Sequence, residues 1–148
     1  MGKKNIVVFS TAFLIVVLDQ FTKFLIKQNF QLDQSMPVIK NFLHLTYVTN
    51  SGSAFGLFKG YNQLLGLFAI VVIIATFCYM GKKIKENQKL LQFSVGLLLG
   101  GTAGNLIDRM LYGSVIDFID FRVWPVFNLA DSAVTISIIL LIILLWKE

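Results

Sequence analysis

Charged residues are scarce in this chain of 148 residues, because Asp, Glu, Lys and Arg together make up only 14%. A soluble globular domain carries about a quarter of its residues as charged side chains and about half as apolar ones. Here 56% of the residues are hydrophobic, and they are gathered into long runs. This balance excludes an ordinary soluble domain and indicates a protein whose surface faces lipid.

Cysteine and histidine each occur once, as Cys78 and His44. A single cysteine excludes a disulfide framework, and we expect Cys78, within an apolar run, to be a small buried side chain. Zinc sites need several ligands at recognisable spacing, and a serine mechanism needs a histidine beside its nucleophile. Neither an HExxH motif nor a nucleophile elbow is present, and His44 stands far in sequence from the acidic residues of the apolar runs. We therefore expect no metal and no organic cofactor.

Nucleic-acid-binding motifs are also absent, although the net charge is +5. The lysines stand instead at the ends of apolar runs, as Lys3 and Lys4, within GKKIKENQK, and as Lys147. No small-x-small cleavage site follows the first run, so it is predicted to be an uncleaved span and not a signal peptide. We expect no nucleic-acid partner.

Four apolar segments lie at about residues 6–25, 61–80, 90–107 and 127–145. Each is near the roughly 20 residues that a helix needs to cross about 30 Å of hydrocarbon. They predict an all-α membrane protein with four transmembrane helices in a single domain, residues 1–148. The lysine-rich termini and the stretch GKKIKENQK then share one side, which the positive-inside rule assigns to the cytoplasm. The two outer connections are about residues 27–60 and 108–126.

The first outer connection contains the stretch VIKNFLHLTYVTNSGSAFG. Its β-branched and aromatic residues end in a cluster of Gly and Ser, a pattern typical of strands followed by a turn. We predict one or two short strands there, in a small sheet on the outer surface.

Small residues in the third apolar segment indicate close helix packing. Gly96, Gly100 and Gly104 are four residues apart, which places them on one helical face and allows a neighbouring backbone to approach. Asn105 follows Gly101 in the adjacent row. Side chains that continue these rows are predicted to point into the bundle and away from lipid.

Polar residues of three segments are predicted to lie at one depth. Counted from the flanking lysines at about 1.5 Å per residue, Asp19, Asn105 and Asp131 lie about 22–24 Å from the cytoplasmic ends. One turn further out lie Lys23, Asp108 and Arg109. Ionisable residues inside spans are rare, so such a layer predicts a functional site.

Simpler roles are open for several of these residues. Asp19 and Lys23 are four apart and could pair with each other. Asn128 could be the N-cap of the fourth helix, and Arg109 could be an anchor at the membrane interface. Asp131 is harder to explain by such a role. The helix dipole stabilises an anion in the first turn by about 0.3–1 kcal/mol, which is small beside an insertion cost of about 2.5–3.5 kcal/mol for Asp at mid-membrane, although that cost falls near the interface.

Two facing carboxyls are sufficient for one familiar reaction. Like-charge repulsion makes such a pair share a proton, so that one member activates water while the other polarises a scissile carbonyl. From spacing alone, the partner of Asp131 is open among Asp108, Asp117 and Asp120.

Two segments, GGTAGNLIDRMLYGSVIDFIDF and FNLADSA, resemble the signature blocks of the bacterial lipoprotein signal peptidases, or signal peptidase II. The match extends to DQFTK in the first segment and TNSGSAFG in the first outer connection, so it covers essentially the whole chain. The resemblance implies a four-helix aspartic endopeptidase of the bacterial cytoplasmic membrane. It also implies a small extracytoplasmic β-cradle, a short outer-loop helix and an active site near the outer face.

The same resemblance implies a substrate and a set of site residues. The substrate is a prolipoprotein, cut immediately before a cysteine that carries diacylglyceryl, and the catalytic dyad is Asp117 with Asp131. Further site-supporting or substrate-binding positions are Asp19, Lys23, Asn50, Gly101, Asn105, Asp108, Arg109 and Asn128. It also implies contact with membrane lipid and inhibition by cyclic peptide antibiotics of the globomycin type, and we expect a monomer.

Two other functions fit a buried polar layer. A small proton-coupled transporter or channel would continue its polar residues to the cytoplasmic side, where the sequence offers little beyond Ser10, Gln92 and Ser94. A non-enzymatic membrane adaptor would use the layer only to tie its helices together. The resemblance favours the peptidase over both.

Overall fold

Four helices and three strands make up the part of the chain that the computed structural model describes, residues 3–52, 58 and 60–146. The helices are α1 (Lys3–Asn29), α2 (Asn62–Lys83), α3 (Lys89–Tyr112) and α4 (Leu129–Leu145). The strands are β1 (Ser35–Ile39), β2 (Leu43–Asn50) and β3 (Val115–Asp120). The prediction of a mostly helical chain with a small sheet is confirmed.

The helices have the length and composition of membrane spans. By those two criteria α1, α2 and α3 are each sufficient to cross a bilayer. Helix α4 is also apolar but has 17 residues, about 26 Å at 1.5 Å per residue. Large apolar side chains such as Phe13, Phe68 and Ile142 are exposed on the helix surfaces, as lipid contact requires. The chain is a multi-pass membrane protein, and a fourth crossing by α4 stays a prediction.

Two expectations about the helices need correction. Helix α3 continues beyond the predicted boundary at residue 107, so Asp108 and Arg109 lie on the helix and not in the outer connection. It ends where Gly113 takes a left-handed conformation (φ 71°) and donates its backbone N–H to the Arg109 carbonyl. Cys78 is exposed and not buried, because α2 packs mainly on α3 and leaves most of its own surface outside the bundle.

The sheet joins the two outer connections. Its order is β1-β2-β3, and both pairs are antiparallel, with Val48 opposite Asp117 in the second pair. The strands predicted in the first connection are confirmed as β1 and β2, whereas β3 was not predicted. Between the end of α1 and the start of α2, and between the end of α3 and the start of α4, the described residues contain no further helix. Residues 53–56 of TNSGSAFG lie outside the described residues, and the outer-loop helix stays a prediction.

Helix α3 is the central helix because its glycines admit neighbours on two faces. A Cβ at Gly100 would lie 2.7 Å from the Ala12 carbonyl oxygen and 2.8 Å from Ile15 Cβ, both on α1. A Cβ at Gly101 would lie 2.5 Å from the Ala130 carbonyl oxygen on α4. The predicted close packing is confirmed, and the two glycine rows bring α1 and α4 to adjacent faces of α3.

Two apolar clusters enclose the polar layer from both ends. The larger lies toward the predicted cytoplasmic side and contains Val8, Met80, Ile84, Leu91, Val95 and Leu99. The smaller contains Ile26, Ile116 and Phe118, and it joins the end of α1 to β3. Asp19 and Lys23 lie along α1 between the two clusters, so their charges are held within apolar packing.

We predict that Gly100→Ala destabilises the bundle. The added methyl group would overlap the α1 backbone, and such overpacking lowers the free energy of unfolding by about 1–3 kcal/mol. Thermal unfolding of the purified protein in detergent measures the change. Gly66→Ala on α2 is the matched control, because its Cβ would meet only ordinary contact, with Leu106 Cδ1 at 3.8 Å. Equal stability of the two variants would contradict the packing described for α1 and α3.

Candidate active site

The Lys23 ammonium is buried and fully partnered. It lies 2.8 Å from Asp19 Oδ2, 2.9 Å from Asp108 Oδ2 and 3.0 Å from Asn105 Oδ1. An ammonium has three N–H donors, and these three acceptors satisfy them. The predicted pairing of Asp19 with Lys23 is confirmed, but the pair is part of a larger cluster that links α1 to α3.

The N-terminus of α4 is capped from two directions. Asn128 is the N-cap, as predicted: its Oδ1 accepts from the Asp131 backbone N–H at 2.8 Å. Asp19 reaches across from α1, and its Oδ1 accepts from the Ala130 backbone N–H at 3.0 Å. The missing side chain of Gly104 makes room for this carboxylate, because a Cβ there would lie 2.6 Å from Asp19 Oδ2. Two free N–H groups of the helix are thereby satisfied.

Asp131 completes a capping box that the sequence analysis did not predict. Its Oδ2 accepts from the Asn128 backbone N–H at 3.2 Å, which is the reciprocal bond of the box. Its Oδ1 accepts from Asn105 Nδ2 at 2.7 Å. The carboxylate is therefore fixed in position on both oxygens while its side chain stays half-buried.

Asp117 approaches the same place from the sheet. Its side chain is 2% exposed, with Oδ1 accepting from Asn128 Nδ2 at 2.7 Å and Oδ2 from Asn50 Nδ2 at 3.1 Å. Strand β3 is held against α3 because Asp108 Oδ2 accepts from the Ile116 backbone N–H at 3.0 Å. The strand thus delivers Asp117 to the N-cap residue of α4.

Asp117 holds its proton more tightly than an ordinary carboxyl. Burial, followed by the negative charge of Asp131, raises the pKa of Asp117 to about 7. Hydrogen bonds from Asn50 and Asn128 act in the opposite direction and are outweighed. Near neutral pH a substantial fraction of this carboxyl is therefore protonated.

Asp120, the other acid of β3, is differently placed. Asp120 is the third residue after Asp117. Because side chains alternate along a strand, the two acids lie on opposite faces of β3. Asp120 Oδ2 accepts from Thr46 Oγ1 at 2.7 Å and from Arg122 Nη1 at 3.1 Å. Partial burial opposes its ionisation, but these hydrogen bonds outweigh it and lower the pKa of Asp120.

A cavity of about 870 Å³ joins the sheet to the space between α2, α3 and α4. Asp117 and Asp131 both line it, whereas Asp108 and Asp120, the other candidate partners of Asp131, do not. Its further polar lining residues are Asn50, Thr102, Asn105, Arg109, Ser132 and Thr135. Its apolar lining between the helices includes Leu65, Phe68, Ala69, Val72, Leu98, Val134, Ile136 and Ile138. The cavity therefore combines two carboxyls with a long apolar surface.

Arg109 faces this cavity and is more than an interface anchor. Its Nη2 donates to the Gly52 carbonyl at 3.1 Å, which holds the end of the β2 segment to α3. Its Nε is buried and has no partner among the described residues. The Arg109 side chain lines the polar end of the cavity, between Asn105 and the end of β2.

Metal-ligating side chains do not gather in the part of the chain that the structure describes. No group of three or more His, Cys, Asp or Glu side chains there is placed to hold an ion. His44 lies on β2, with Nδ1 3.3 Å from Ser35 Oγ across the strand pair. The polar groups of the cavity are carboxyls, amides, hydroxyls and a guanidinium, which suit hydrogen bonding to a peptide and proton transfer.

Sequence reasoning missed Gln20 as a member of the cluster. Its Nε2 lies 3.2 Å from Asp19 Oδ2 and 2.9 Å from Asp108 Oδ1, so it bridges the two carboxylates that hold Lys23. An amide within an otherwise apolar run is the signal that identifies it. Thr46, the partner of Asp120, carries no comparable signal because Thr is common in strands.

Known proteins similar to this chain include lipoprotein signal peptidases and a bacterial membrane enzyme. The sequence matches the family model for signal peptidase (SPase) II over residues 11–147. It is 43% identical to the lipoprotein signal peptidase of Halothermothrix orenii, covering 95% of this chain and 96% of that protein. It is 47% identical to the lipoprotein signal peptidase of Moorella thermoacetica, covering 88% and 86% respectively. A bacterial membrane enzyme solved at 2.3 Å has a TM-score of 0.89 and 37% identity, covering 95% of this chain and 87% of that one.

We predict an infrared carbonyl band from a protonated carboxylic acid that disappears as the pH rises through about 7. A raised pKa keeps the proton on Asp117 below that pH, so Asp117→Asn should remove the band. Asp131→Asn should move its midpoint to lower pH, because the repelling charge is gone. Asp120→Asn is the control and should leave the band unchanged. A band that survives Asp117→Asn would assign the proton to another group.

Proposed function

The chain belongs to the signal peptidase II family, and on that premise we propose an intramembrane aspartic endopeptidase acting on prolipoproteins. Membership makes it a protease that processes the signal peptides of lipoproteins. The proposal goes further and assigns catalysis to Asp117 and Asp131. It places the cut immediately before a cysteine that carries diacylglyceryl.

The observation that carries this proposal is the bridging amide of Asn128. Its Nδ2 donates to Asp117 Oδ1 at 2.7 Å, while its backbone N–H donates to Asp131 Oδ2 at 3.2 Å. One residue therefore binds a carboxyl oxygen of each acid, and both acids line the same cavity. This arrangement supports a pair that shares one proton, which is the requirement of the aspartic mechanism.

In the first chemical step, the carbonyl before the modified cysteine is attacked by water. We assign the ionised state to Asp131, which accepts a proton from that water, and the protonated state to Asp117, which donates to the carbonyl oxygen. A bond forms between the water oxygen and the carbonyl carbon, and the product is a tetrahedral diol. The raised pKa of Asp117 supports this division of roles.

In the second step the diol collapses. The ionised Asp117 takes a proton from one hydroxyl as the carbonyl re-forms, and Asp131 gives its proton to the leaving nitrogen. The bond between carbon and nitrogen breaks, releasing a carboxylic acid and an amine. Each acid regains its starting state, so no other proton donor is required.

Several neighbours are suited to holding the peptide. Asn105 and Arg109 lie on α3 at the polar end of the cavity, and Asn50 lies at the end of β2. We assign the Arg109 guanidinium, which lines the cavity and carries five N–H donors, to a carbonyl of the substrate backbone. Asp19, Lys23, Asp108 and Asn128 support the site by fixing its helices, and Gly101 does so by admitting α4.

The apolar part of the cavity supports a substrate that stays in the membrane. Phe68, Ile136 and Ile138 line it and are also exposed, so the cavity is continuous with the lipid-facing surface between α2 and α4. We propose that the acyl chains and the signal helix enter there without leaving lipid. By the lysine pattern, both termini are cytoplasmic and the carboxyls lie near the outer face of the cytoplasmic membrane.

The cavity is also suited to an inhibitor. Its volume of about 870 Å³ suits a cyclic peptide, so an antibiotic of the globomycin type would compete with substrate there. Both carboxyls belong to the same chain as the amides of Asn50, Asn105 and Asn128 that donate to them. This supports a monomer as the catalytic unit.

A transport function finds no support on the cytoplasmic half of the described chain. Gln92 Nε2 donates to the Lys85 carbonyl at 2.7 Å, and Ser94 Oγ donates to the Leu90 carbonyl at 2.8 Å. Ser10 Oγ likewise donates to the Val7 carbonyl at 3.1 Å. The donors of these three side chains are satisfied by nearby backbone carbonyls, although Gln92 Oε1 has no partner among the described residues. They form no continuous path for ions, which disfavours a channel or proton-coupled transporter.

We predict that Asp117→Asn and Asp131→Asn each reduce the cleavage rate by about a thousandfold or more, because an amide cannot accept or deliver the proton. A gel-shift assay with purified lipid-modified prolipoprotein measures cleavage. Asp120→Asn is the matched control on the same strand, and its rate should stay within a few-fold of the original. A strong loss with Asp120→Asn, or an active Asp131→Asn, would refute the assigned pair.

We also predict that the precursor without diacylglyceryl is not cut at a detectable rate. The acyl chains anchor the peptide in the membrane and bring it to the carboxyls. Without them the scissile bond is not positioned for attack. The same assay compares the two precursors at equal concentration in mixed micelles. Equal cleavage of both would show that the apolar cavity does not receive the lipid.

A further inference from the structure

Three amides face the two carboxyls of the proposed pair, and each is held from behind as a hydrogen-bond donor. Asn50 Oδ1 accepts from the Gly52 backbone N–H at 2.9 Å. Asn128 Oδ1 accepts from the Asp131 backbone N–H at 2.8 Å. In both cases a backbone donor occupies the carbonyl oxygen, so the amide nitrogen must point toward the carboxyl.

The third amide, Asn105, is held by two side chains, those of Lys23 and Asn128. Its Oδ1 accepts from Lys23 Nζ at 3.0 Å and from Asn128 Nδ2 at 3.0 Å, while its Nδ2 donates to Asp131 Oδ1 at 2.7 Å. An ammonium has donors only, so a rotated Asn105 would set its own N–H groups against a buried cation. Lys23 cannot turn away, because Asp19 and Asp108 hold its other two N–H groups.

The fixed orientation of the Asn105 amide matters for the proposed reaction. Asp131 alternates between a carboxylate and a neutral acid, and a free amide would rotate to accept from the acid form. That rotation would trap the protonated intermediate, because the acid would then donate to the amide and not to the leaving nitrogen. A donor fixed toward Asp131 favours the carboxylate in both steps and promotes return of the proton.

Resting on the proposed function, we propose that Lys23 is a positioning residue that keeps the Asn105 amide aimed as a donor at Asp131 throughout the reaction. Lys23 does not touch the reacting atoms. Lys23 donates to Asn105 Oδ1, as backbone N–H groups donate to the Oδ1 atoms of Asn50 and Asn128. Its effect is therefore expected on the chemical step more than on substrate binding.

Lys23→Met tests this role with a neutral side chain of similar length. We expect kcat to fall about tenfold or more while KM changes less than about threefold, because the substrate contacts remain in place. Thermal unfolding in detergent is measured beside it, because the substitution also leaves Asp19 and Asp108 without a cation. Unchanged kcat in a folded variant would overturn the proposal.

A charge-balanced variant separates positioning from folding. Lys23→Met with Asp19→Asn removes one positive and one negative charge, so the cluster keeps its original net charge. We expect this variant to regain thermal stability relative to Lys23→Met but to keep a kcat about tenfold below that of Asp19→Asn alone. If its kcat equals that of Asp19→Asn, the role of Lys23 is only to balance charge, and the proposal is wrong.

Asp131→Asn in the same assay tells the two proposals apart. If Asp131→Asn stays active, the catalytic pair is wrong, and the positioning role falls with it. If Asp131→Asn is inactive while kcat is insensitive to Lys23, only the positioning role is overturned. An inactive Asp131→Asn together with the kcat loss in the charge-balanced variant supports both.

Discussion

The buried Lys23 ammonium is the contact on which the site depends. A cation in apolar packing is tolerated only when its donors are satisfied, and here three helix-borne acceptors surround it. Removing one partner of such a cluster leaves an uncompensated buried charge, at a cost of about 3–5 kcal/mol. The same acceptors have second tasks, because Asp19 caps α4 and Asp108 holds β3. Satisfying one cation thus fixes both elements that carry the proposed catalytic acids.

Close backbone packing makes this cluster possible. The carboxylate of Asp19 can reach the start of α4 only because Gly104 presents no side chain in its way. Gly101, on the adjacent face, lets α4 approach closely enough for Asn105 to reach Asp131. In lipid there is little hydrophobic drive for helices to associate, so small residues and interhelical hydrogen bonds must supply the attraction. The two kinds of contact are here interdependent, since the glycines set the distances at which the polar groups meet.

Much of the helical framework could be predicted from sequence, because spans, glycine spacing and helix caps are local patterns. The Asp19–Lys23 pair and the Asn128 cap followed from residue type and spacing. The depth count placed Lys23 one turn above Asn105, yet the two side chains meet. Helical side chains tilt toward the helix N-terminus, so a long lysine reaches back by a turn. A count of Cα positions cannot include this reach.

The sheet was harder to predict because its pairing is non-local. VIDFID is a short apolar run interrupted by acids, and nothing within it identifies β2 as its partner. Without that strand, the opposite orientations of Asp117 and Asp120 could not be deduced. Spacing alone therefore left three acids as equal partners of Asp131, and the choice came from the resemblance. The long-range register, with Val48 opposite Asp117, is the information that residue patterns do not contain.

Asp131 caps α4 and is also the proposed base, and these two roles place opposite demands on its carboxylate. As the N3 residue of a capping box it must remain an acceptor for the Asn128 backbone N–H. As a proposed base it must take up a proton, which weakens that bond, so protonation also loosens the first turn of α4. Asp19 caps the neighbouring Ala130 N–H independently, so the helix start stays fixed while Asp131 changes its charge. The second cap on α4 therefore explains why the site needs a carboxylate on α1 that does not line the cavity. It allows Asp131 to take up and return a proton in the proposed reaction without releasing the helix that positions it.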